Sequence, residues 1–423
     1  MNPFSIIFDS FDIFFGILIP LLSLWWLWLP IVLANQVIDT YQKLKRKEYL
    51  ASLKWTVLEI RLPRDPGKSP KAMEQIFTSL HGIYAPVKPR DAKWKGKVPD
   101  WFSFEIVSNQ GKIFFYARTP EQYRNLIESQ IYAQYPEAEI YEVPDYVNGI
   151  AEKIPNDEYD LWGADLALTK EDAFPIRTYE EFEEKGGGKD DAKRIDPVAS
   201  LAELLATLHE GEHLWIQTMF RPAGEDWLKR GQETMDKLSG KGPKDSGRSL
   251  IGKTVDFIDS FIPGSGAPAG EVKEEKKPDV GAGKQDQIRA IEKSLNKLGH
   301  ETGIRCLYIA QKDKFKKANI AGLVGAYKQF STQNLNGFKL DKDSLPVASK
   351  LLDKWFRKNF IEFKKKSGLF GLYKMRMLPR KPFVLNTEEL ATIFHFPDVF
   401  VKSPLLPRIE AKHGEPPSNL PVM

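Results

Sequence analysis

The chain has 423 residues, 42% of them apolar and 12% aromatic, which excludes an intrinsically disordered tail and leaves room for two or three domains. A formal net charge of only +4 excludes a uniformly basic surface, so any electrostatic partner has to meet a local patch. The single cysteine, Cys306, excludes a disulfide framework and a cysteine-rich zinc module; lying in the strand-like GIRCLYIA, it reads as a core thiol.

After a short start that carries Asp9 and Asp12, residues 13–33 (IFFGILIPLLSLWWLWLPIVL) contain no charge. As a helix this stretch rises about 31 Å, the thickness of a hydrocarbon core, and Pro20 and Pro30 are tolerated better there than in a water-exposed helix. A cleaved signal peptide would want a basic start, a shorter apolar run and a small-residue cleavage site, so the reading is a retained anchor. Lys43, Lys45, Arg46 and Lys47 follow the run. The positive-inside rule then puts residues 1–12 outside the membrane and everything beyond the span in the cytoplasm, with Trp25, Trp26 and Trp28 suited to an interfacial belt.

Residues 34–53 read as a juxtamembrane helix. Residues 54–147 open with a strand, KWTVLEIRL, and a helix, SPKAMEQIFTSLHGIY, with Ser69 as N-cap and Pro70 in the first turn. A hairpin follows, WFSFEIVS and KIFFYART around NQG, with Gly111 available for a positive φ. A second helix begins at Thr119 and Pro120, and AEIYEV supplies a last strand. This β-α-β-β-α-β order is the split βαβ plan of a ferredoxin-like module.

Residues 148–345 carry a weaker second copy: LWGADLALT as first strand, DPVASLAELLATL as helix, HLWIQTMF and GIRCLYIA as central strands, and KANIAGLVGAYKQF as second helix. Between its central strands lies an insertion of two helices, EDWLKRGQETMDKL and KQDQIRAIEKSLNKL, joined by Gly-, Pro- and Lys-rich residues 239–284, whose composition predicts a flexible linker. Residues 346–423 hold a basic helical segment to about 366, a short helix TEELATIFHF and a Pro-rich end. The fold class expected is α+β: an N-terminal transmembrane helix followed by tandem ferredoxin-like modules.

Two motifs invite enzymatic readings. LHEGEHLWIQ, residues 208–217, holds His209, Glu210 and His213 in the HExxH spacing of zinc peptidases, in which both histidines ligate from one helix face. Here the helical stripe ends at Leu208, Gly211 interrupts the motif and the next residues are strand-like, so the pattern predicts a helix-to-strand turn, with a zinc site as the alternative. Glu225 or Glu233 would have to supply the third ligand. GRSLIGKT, residues 247–254, fits the phosphate-loop pattern GxxxxGK[ST], but the preceding SGKGPKDS cannot be the buried strand such a loop needs.

Residues 346–381 contain eleven Lys or Arg against Asp353 and Glu362, a surplus of nine in a chain that totals +4. Trp355, Phe356, Phe360, Phe363 and Tyr373 are interleaved with them. Lys354, Arg357, Lys358, Lys364, Lys365 and Lys366 are candidate contacts to anionic lipid or nucleic acid. The plainer expectation is a helix that packs its aromatics inward and leaves a solvated basic face.

IESQIYAQYPEAEI at 127, GEHLWIQTMFRP at 211, LYIAQKDKF at 307, GAYKQF at 325, LNTEELATIFHFP at 385 and PPSNLP at 416 together resemble the non-motor region ahead of the ATPase domain in conjugative, type IV secretion-like ATPases of bacteria, including the candidate phyla radiation. The likeness runs from about Lys54 to the end. It implies a membrane-tethered, non-enzymatic scaffold or docking component of a secretion or conjugation apparatus. Its partners would be the bilayer, a separate ATPase or other subunits, and further copies of itself in a homo-oligomer. Motor-bearing relatives continue from the Pro-rich segment into a P-loop domain, whereas this chain stops at Met423. The resemblance also makes GEHLWIQ a helix-to-strand turn, and it assigns neither a catalytic residue nor a cofactor. A membrane-anchored zinc metalloprotease and a nucleic-acid-binding accessory protein are the alternative functions.

Overall fold

A computed structural model describes residues 25–63, 68–182, 196–240, 281–347, 358–397 and 408–409. It is a mixed α+β structure whose strands form one sheet. In chain order the first elements are α1 (Trp25–Ser52), β1 (Trp55–Pro63), α2 (Lys71–Leu80), α3 (Pro89–Lys95), β2 (Phe102–Asn109), β3 (Lys112–Pro120), α4 (Arg124–Gln134) and β4 (Glu139–Glu142). Next come β5 (Tyr159–Leu168), α5 (Ala199–Ala206), β6 (Glu212–Pro222), α6 (Asp226–Leu238), α7 (Ala282–Leu295), β7 (Gly299–Gln311), α8 (Lys317–Lys328) and β8 (Phe338–Leu340). The last are α9 (Lys358–Met375), β9 (Phe383–Asn386), α10 (Thr387–Ile393) and β10 (Arg408–Ile409). The chain divides into two units, residues 1–54 with 85–100 and residues 55–84 with 101–423.

In the first unit, α1 passes without a break through the boundary expected near residue 33 and has Pro30 inside it. Residues 1–24, which include the first half of the expected span, lie outside the described residues. Among the described residues no helix is long and apolar enough to cross a membrane. The short α3, which sequence reasoning does not find, packs on α1 with Tyr41 and Trp94 ring centroids 6.2 Å apart. Its C-cap, Gly96, has φ 66° and lies so close to α1 that a Cβ would collide with the backbone of Lys45 and Arg46.

In the second unit, residues 55–142 pair as β4-β1-β3-β2 and residues 159–340 as β8-β5-β7-β6, every neighbour antiparallel. Each half therefore places its strands 4-1-3-2 in its own order of appearance, and the halves meet β2 against β6 from Phe102↔Phe220 to Asn109↔His213. The hairpin between β2 and β3 turns on Gln110 and Gly111, with φ of 56° and 85°; two positive φ values at the tip match the right-handed strand twist. α2 buries Ala72, Met73, Ile76, Phe77 and Leu80, the i, i+3, i+4 stripe of its sequence. Its expected cap is corrected in detail: Pro70 occupies the N-cap position, and Ser69 contributes its backbone carbonyl, 3.0 Å from the N–H of Ala72, rather than its hydroxyl.

One face of the sheet is covered by α2, α4, α5, α8 and α10. The sequence places TEELATIFHF in the tail; instead every residue of α10 is buried, closed by a capping box between Asn386 and Glu389. The other face is covered as well, by Val147 and Ile154 and by Leu369, Phe370 and Tyr373 of α9. With both faces packed, β6 is buried along nearly its whole length, which is why its sequence reads as a continuous apolar run rather than an alternation.

Candidate functional site

Buried charge gathers on the sheet face beneath α9. Register sets Glu59 opposite Tyr116, Tyr116 opposite Glu105, Glu105 opposite Gln217, Gln217 opposite Arg305, and Arg305 opposite Asp165. Residues directly opposite one another point to the same face, so six strands each contribute one polar side chain to a single row crossing both halves. The next row toward the β2–β3 turn is apolar, with Val107, Trp215 and Leu307, and it ends at Gly163. A Cβ at Gly163 would meet the side chains of Leu307 and Leu369, so that glycine lets α9 lie close to the sheet.

The charges in the row are paired. Arg305 forms a bidentate pair with Asp165, Nε to Oδ1 at 2.7 Å and Nη2 to Oδ2 at 3.1 Å. Glu105, with no exposed surface, accepts from Ser103 Oγ at 2.7 Å, Gln217 Nε2 at 3.2 Å, Tyr146 Oη at 2.7 Å and Arg376 Nε at 3.0 Å. Arg376, also fully buried, donates through Nη2 to Asp145 Oδ1 at 2.8 Å. Burial alone would lower the Arg376 pKa, but Glu105 and Asp145 hold it well above its usual value. Burial and the Glu105 carboxylate push the Tyr146 phenol up; with its O–H given to Glu105, the Tyr146 oxygen accepts from Tyr373 Oη at 2.7 Å.

The same donors close the C-terminal end of α9. A helix leaves its last four carbonyls without partners and concentrates partial negative charge there. Leu372 O accepts from Arg305 Nη1 at 3.0 Å, Tyr373 O from Gln217 Nε2 at 3.1 Å, Lys374 O from Arg376 Nη1 at 3.0 Å and, more loosely, Met375 O from Arg118 Nη1 at 3.4 Å. Beyond the helix, Trp101 Nε1 donates to Arg376 O at 2.7 Å and Arg305 Nη1 to Met377 O at 3.1 Å. Arg376 has φ 50°, a left-handed position that usually falls to Gly or Asn after a helix. Its guanidinium bonds hold it there. With Leu369 and Phe370 each contributing about 1.5–3 kcal/mol of apolar burial, the row is a dock for α9.

Part of the basic segment is thus turned inward. Lys365 Nζ reaches Val347 O at 2.8 Å, Lys366 Nζ pairs with Asp160 at 2.6 Å and Lys374 Nζ reaches Glu152 O at 2.8 Å. Lys358 and Lys364 are exposed, whereas Lys354 and Arg357 lie outside the described residues. Among the described residues the helix covers Lys358–Met375, so it continues past residue 366, where the basic composition places its end.

The structure does not bring the HExxH residues together on a helix. α5 ends at Ala206, His209 and Glu210 are exposed in the turn that follows, Gly211 has φ 80°, and His213 is buried in β6. The side-chain Oδ1 of Asn109 accepts from Trp215 Nε1 and faces His213 Nδ1, both at 2.9 Å, which makes Nδ1 the protonated nitrogen. Burial lowers the His213 pKa to about 4. Glu212 instead closes the turn, accepting from His209 N at 3.0 Å. Among the described residues no group of three or more His, Cys, Asp or Glu is placed to hold a metal ion. GRSLIGKT lies outside the described residues.

Sequence reasoning misses the row because its members are distant in the chain: Asp165 and Arg305 are 140 positions apart, Glu105 and Arg376 are 271. The available signal was a lone charge inside each apolar strand, Glu105 in WFSFEIVS, Asp165 in LWGADLALT and Arg305 in GIRCLYIA.

Fold and site define an α+β protein that uses a row of paired buried charges to hold its own helix α9. The chain belongs to the family described as "Domain of unknown function (DUF8128)", which matches residues 36–404. No curated protein matches the sequence. Among solved structures, the chain is similar to a glycine-to-alanine variant of berberine bridge enzyme described as a reticuline dehydrogenase, at 11% identity and TM-score 0.23, covering 81% of this chain and 54% of that one. It is also similar to a cysteine-to-alanine variant of the same enzyme, at 11% identity and TM-score 0.23, covering 84% and 56%. The chain spans about half the length of these structures, and a likeness of this size transfers neither fold nor activity.

Proposed function

We propose that the protein is a membrane-anchored, non-enzymatic scaffold or docking component of a type IV secretion or conjugation-like apparatus, working beside a separate ATPase. In this reading the N-terminus lies outside the inner membrane, the bulk of the chain is cytoplasmic, and the two halves of the sheet are tandem ferredoxin-like modules. The strand order 4-1-3-2 in each half supports the last point. The observation that carries the membrane location is the surface of α1: Trp26, Leu27, Ile31, Val32, Leu33 and Val37 are each at least half exposed, and they continue the uncharged run that starts at residue 13. A water-facing helix does not keep such a surface bare, and a hydrocarbon layer would cover it. The apparatus itself is supported by the sequence resemblance alone.

The test is fractionation of cells that make the full-length chain. It should pellet with membranes, resist extraction by alkaline carbonate and dissolve in detergent; recovery in the high-speed supernatant without detergent would sink the reading. Co-purification of a P-loop ATPase from the detergent extract would support the apparatus assignment.

A further inference from the structure

We propose that the outward face of α9 rests on an anionic bilayer surface. The inward face, Leu369, Phe370 and Tyr373, is consumed by the sheet. At 100° per residue the opposite stripe is Phe360, Lys364, Ser367, Gly368, Gly371 and Met375, with Phe363 and Leu372 on its flanks. Phe360 is 62% exposed, Phe363 52%, Met375 50% and Leu372 39%, and a Cβ added at Gly368 or Gly371 would meet nothing. An ordinary surface helix is polar on the side away from its core. This one is docked on one side and predominantly apolar or small on the other.

Charge decides what covers it. Lys365, Lys366, Lys374 and Arg376 bond to the rest of the chain, which among the described residues leaves Lys364 exposed within the stripe, Lys358 exposed at the first described turn of α9, and Arg380 and Lys381 exposed in the segment that follows it. A groove that follows a nucleic-acid strand needs a longer track of cations with ring faces between them, and aliphatic Leu372 and Met375 offer bases nothing to stack on. A few cations framing Phe, Met and Leu suit a shallow interfacial helix, with the cations drawn to anionic headgroups and the apolar side chains entering the acyl boundary. This inference rests on the membrane location proposed above and adds a second, peripheral contact to it.

Cys306 is 1% exposed, so a cysteine introduced at the surface can be labelled selectively. The full-length Phe363→Cys chain, carrying an environment-sensitive fluorophore, would be reconstituted into phosphatidylcholine vesicles with or without phosphatidylglycerol, their acyl chains brominated as quenchers. Phe360→Cys is the second labelling site and Asp226→Cys, on α6, the control. The labels on α9 should lose about half their emission in the anionic vesicles and little in the neutral ones, and the control should not change. Adding Lys358→Glu and Lys364→Glu should abolish the quenching. The proposal is overturned if the α9 labels stay as water-exposed as the control, if quenching ignores lipid charge, if a DNA oligonucleotide protects them in place of vesicles, or if protection in detergent grows with protein concentration, as contact with a second copy would make it. A chain released by carbonate but quenched at neutral pH would contradict the anchor and not this contact; a chain retained by carbonate but unquenched would do the reverse.

Discussion

Arg376→Met is the sharpest perturbation of the α9 dock. It removes a guanidinium with no exposed surface and leaves Glu105, equally buried, without its cation. Stranding one member of a buried pair costs about 3–5 kcal/mol. Ser103, Gln217 and Tyr146 would still donate to Glu105, which pulls the value down, and Asp145, whose side chain is 29% exposed, can be rehydrated. Against that, methionine loses the bond to Lys374 O and with it the guanidinium contacts that hold the residue at φ 50°. The expected net cost is about 3–4 kcal/mol, read by urea denaturation of the detergent-solubilised full chain with far-UV circular dichroism. Glu105→Gln added to Arg376→Met removes the stranded carboxylate, so the double variant should be more stable than the sum of the two single effects by at least about 1 kcal/mol. A single-variant cost below about 1 kcal/mol, or strict additivity, would refute the reading that the row holds α9 by paired charge.

Three further outcomes follow from other parts of the chain. Burial pushes the Glu389 carboxyl up from 4.5 to about 8, against the backbone N–H bonds of Asn386 and Ile176. The folded chain therefore binds more protons than the unfolded one between those values, so its contribution is complete below about pH 4.5 and is lost as pH rises to about 8. Denaturation midpoints across that window should fall less steeply in Glu389→Gln; an unchanged slope would contradict the assignment. Gly96→Ala should loosen α3 from α1 at a cost of about 2–4 kcal/mol, the sum of left-handed strain and a backbone collision, and faster proteolysis within residues 85–100 would report it. His209→Ala, in an exposed turn, should change stability by less than about 0.5 kcal/mol and leave the zinc content of the purified chain unchanged; stoichiometric zinc lost on this substitution would revive the peptidase alternative.

Much of the secondary structure is legible because local chemistry decides it. The stripe 72, 73, 76, 77 and 80 makes α2, and NQG makes the β2–β3 turn. The turn at 209–211 is likewise readable from Gly211 and the aromatic run after it. What local chemistry could not reveal is what needs register. Glu59, Tyr116, Glu105, Gln217, Arg305 and Asp165 become a row only once β2 pairs with β6, and nothing in either strand alone announces that the two halves join there. The burial of α10 is hidden for the same reason: TEELATIFHF has the composition of a surface cap, and only its packing against α2 makes it core. The net positive charge of residues 346–381 was plain, but which lysines would turn inward depended on partners such as Asp160, over two hundred positions away.

The junction of the halves also limits how copies of the chain can associate. Each half gives up its second strand to the other; among the described residues the strands with a single strand neighbour are β4, β8, β9 and β10, none longer than four residues, and β8 covers β5 only over Leu166–Leu168. Such short edge strands are poor templates for fibre-like growth by strand addition, and residues 159–164 of β5 are the stretch that has no strand on its outer side among the described residues. A ring or stack built on helical surfaces would let side chains rather than the peptide backbone decide which neighbour is accepted.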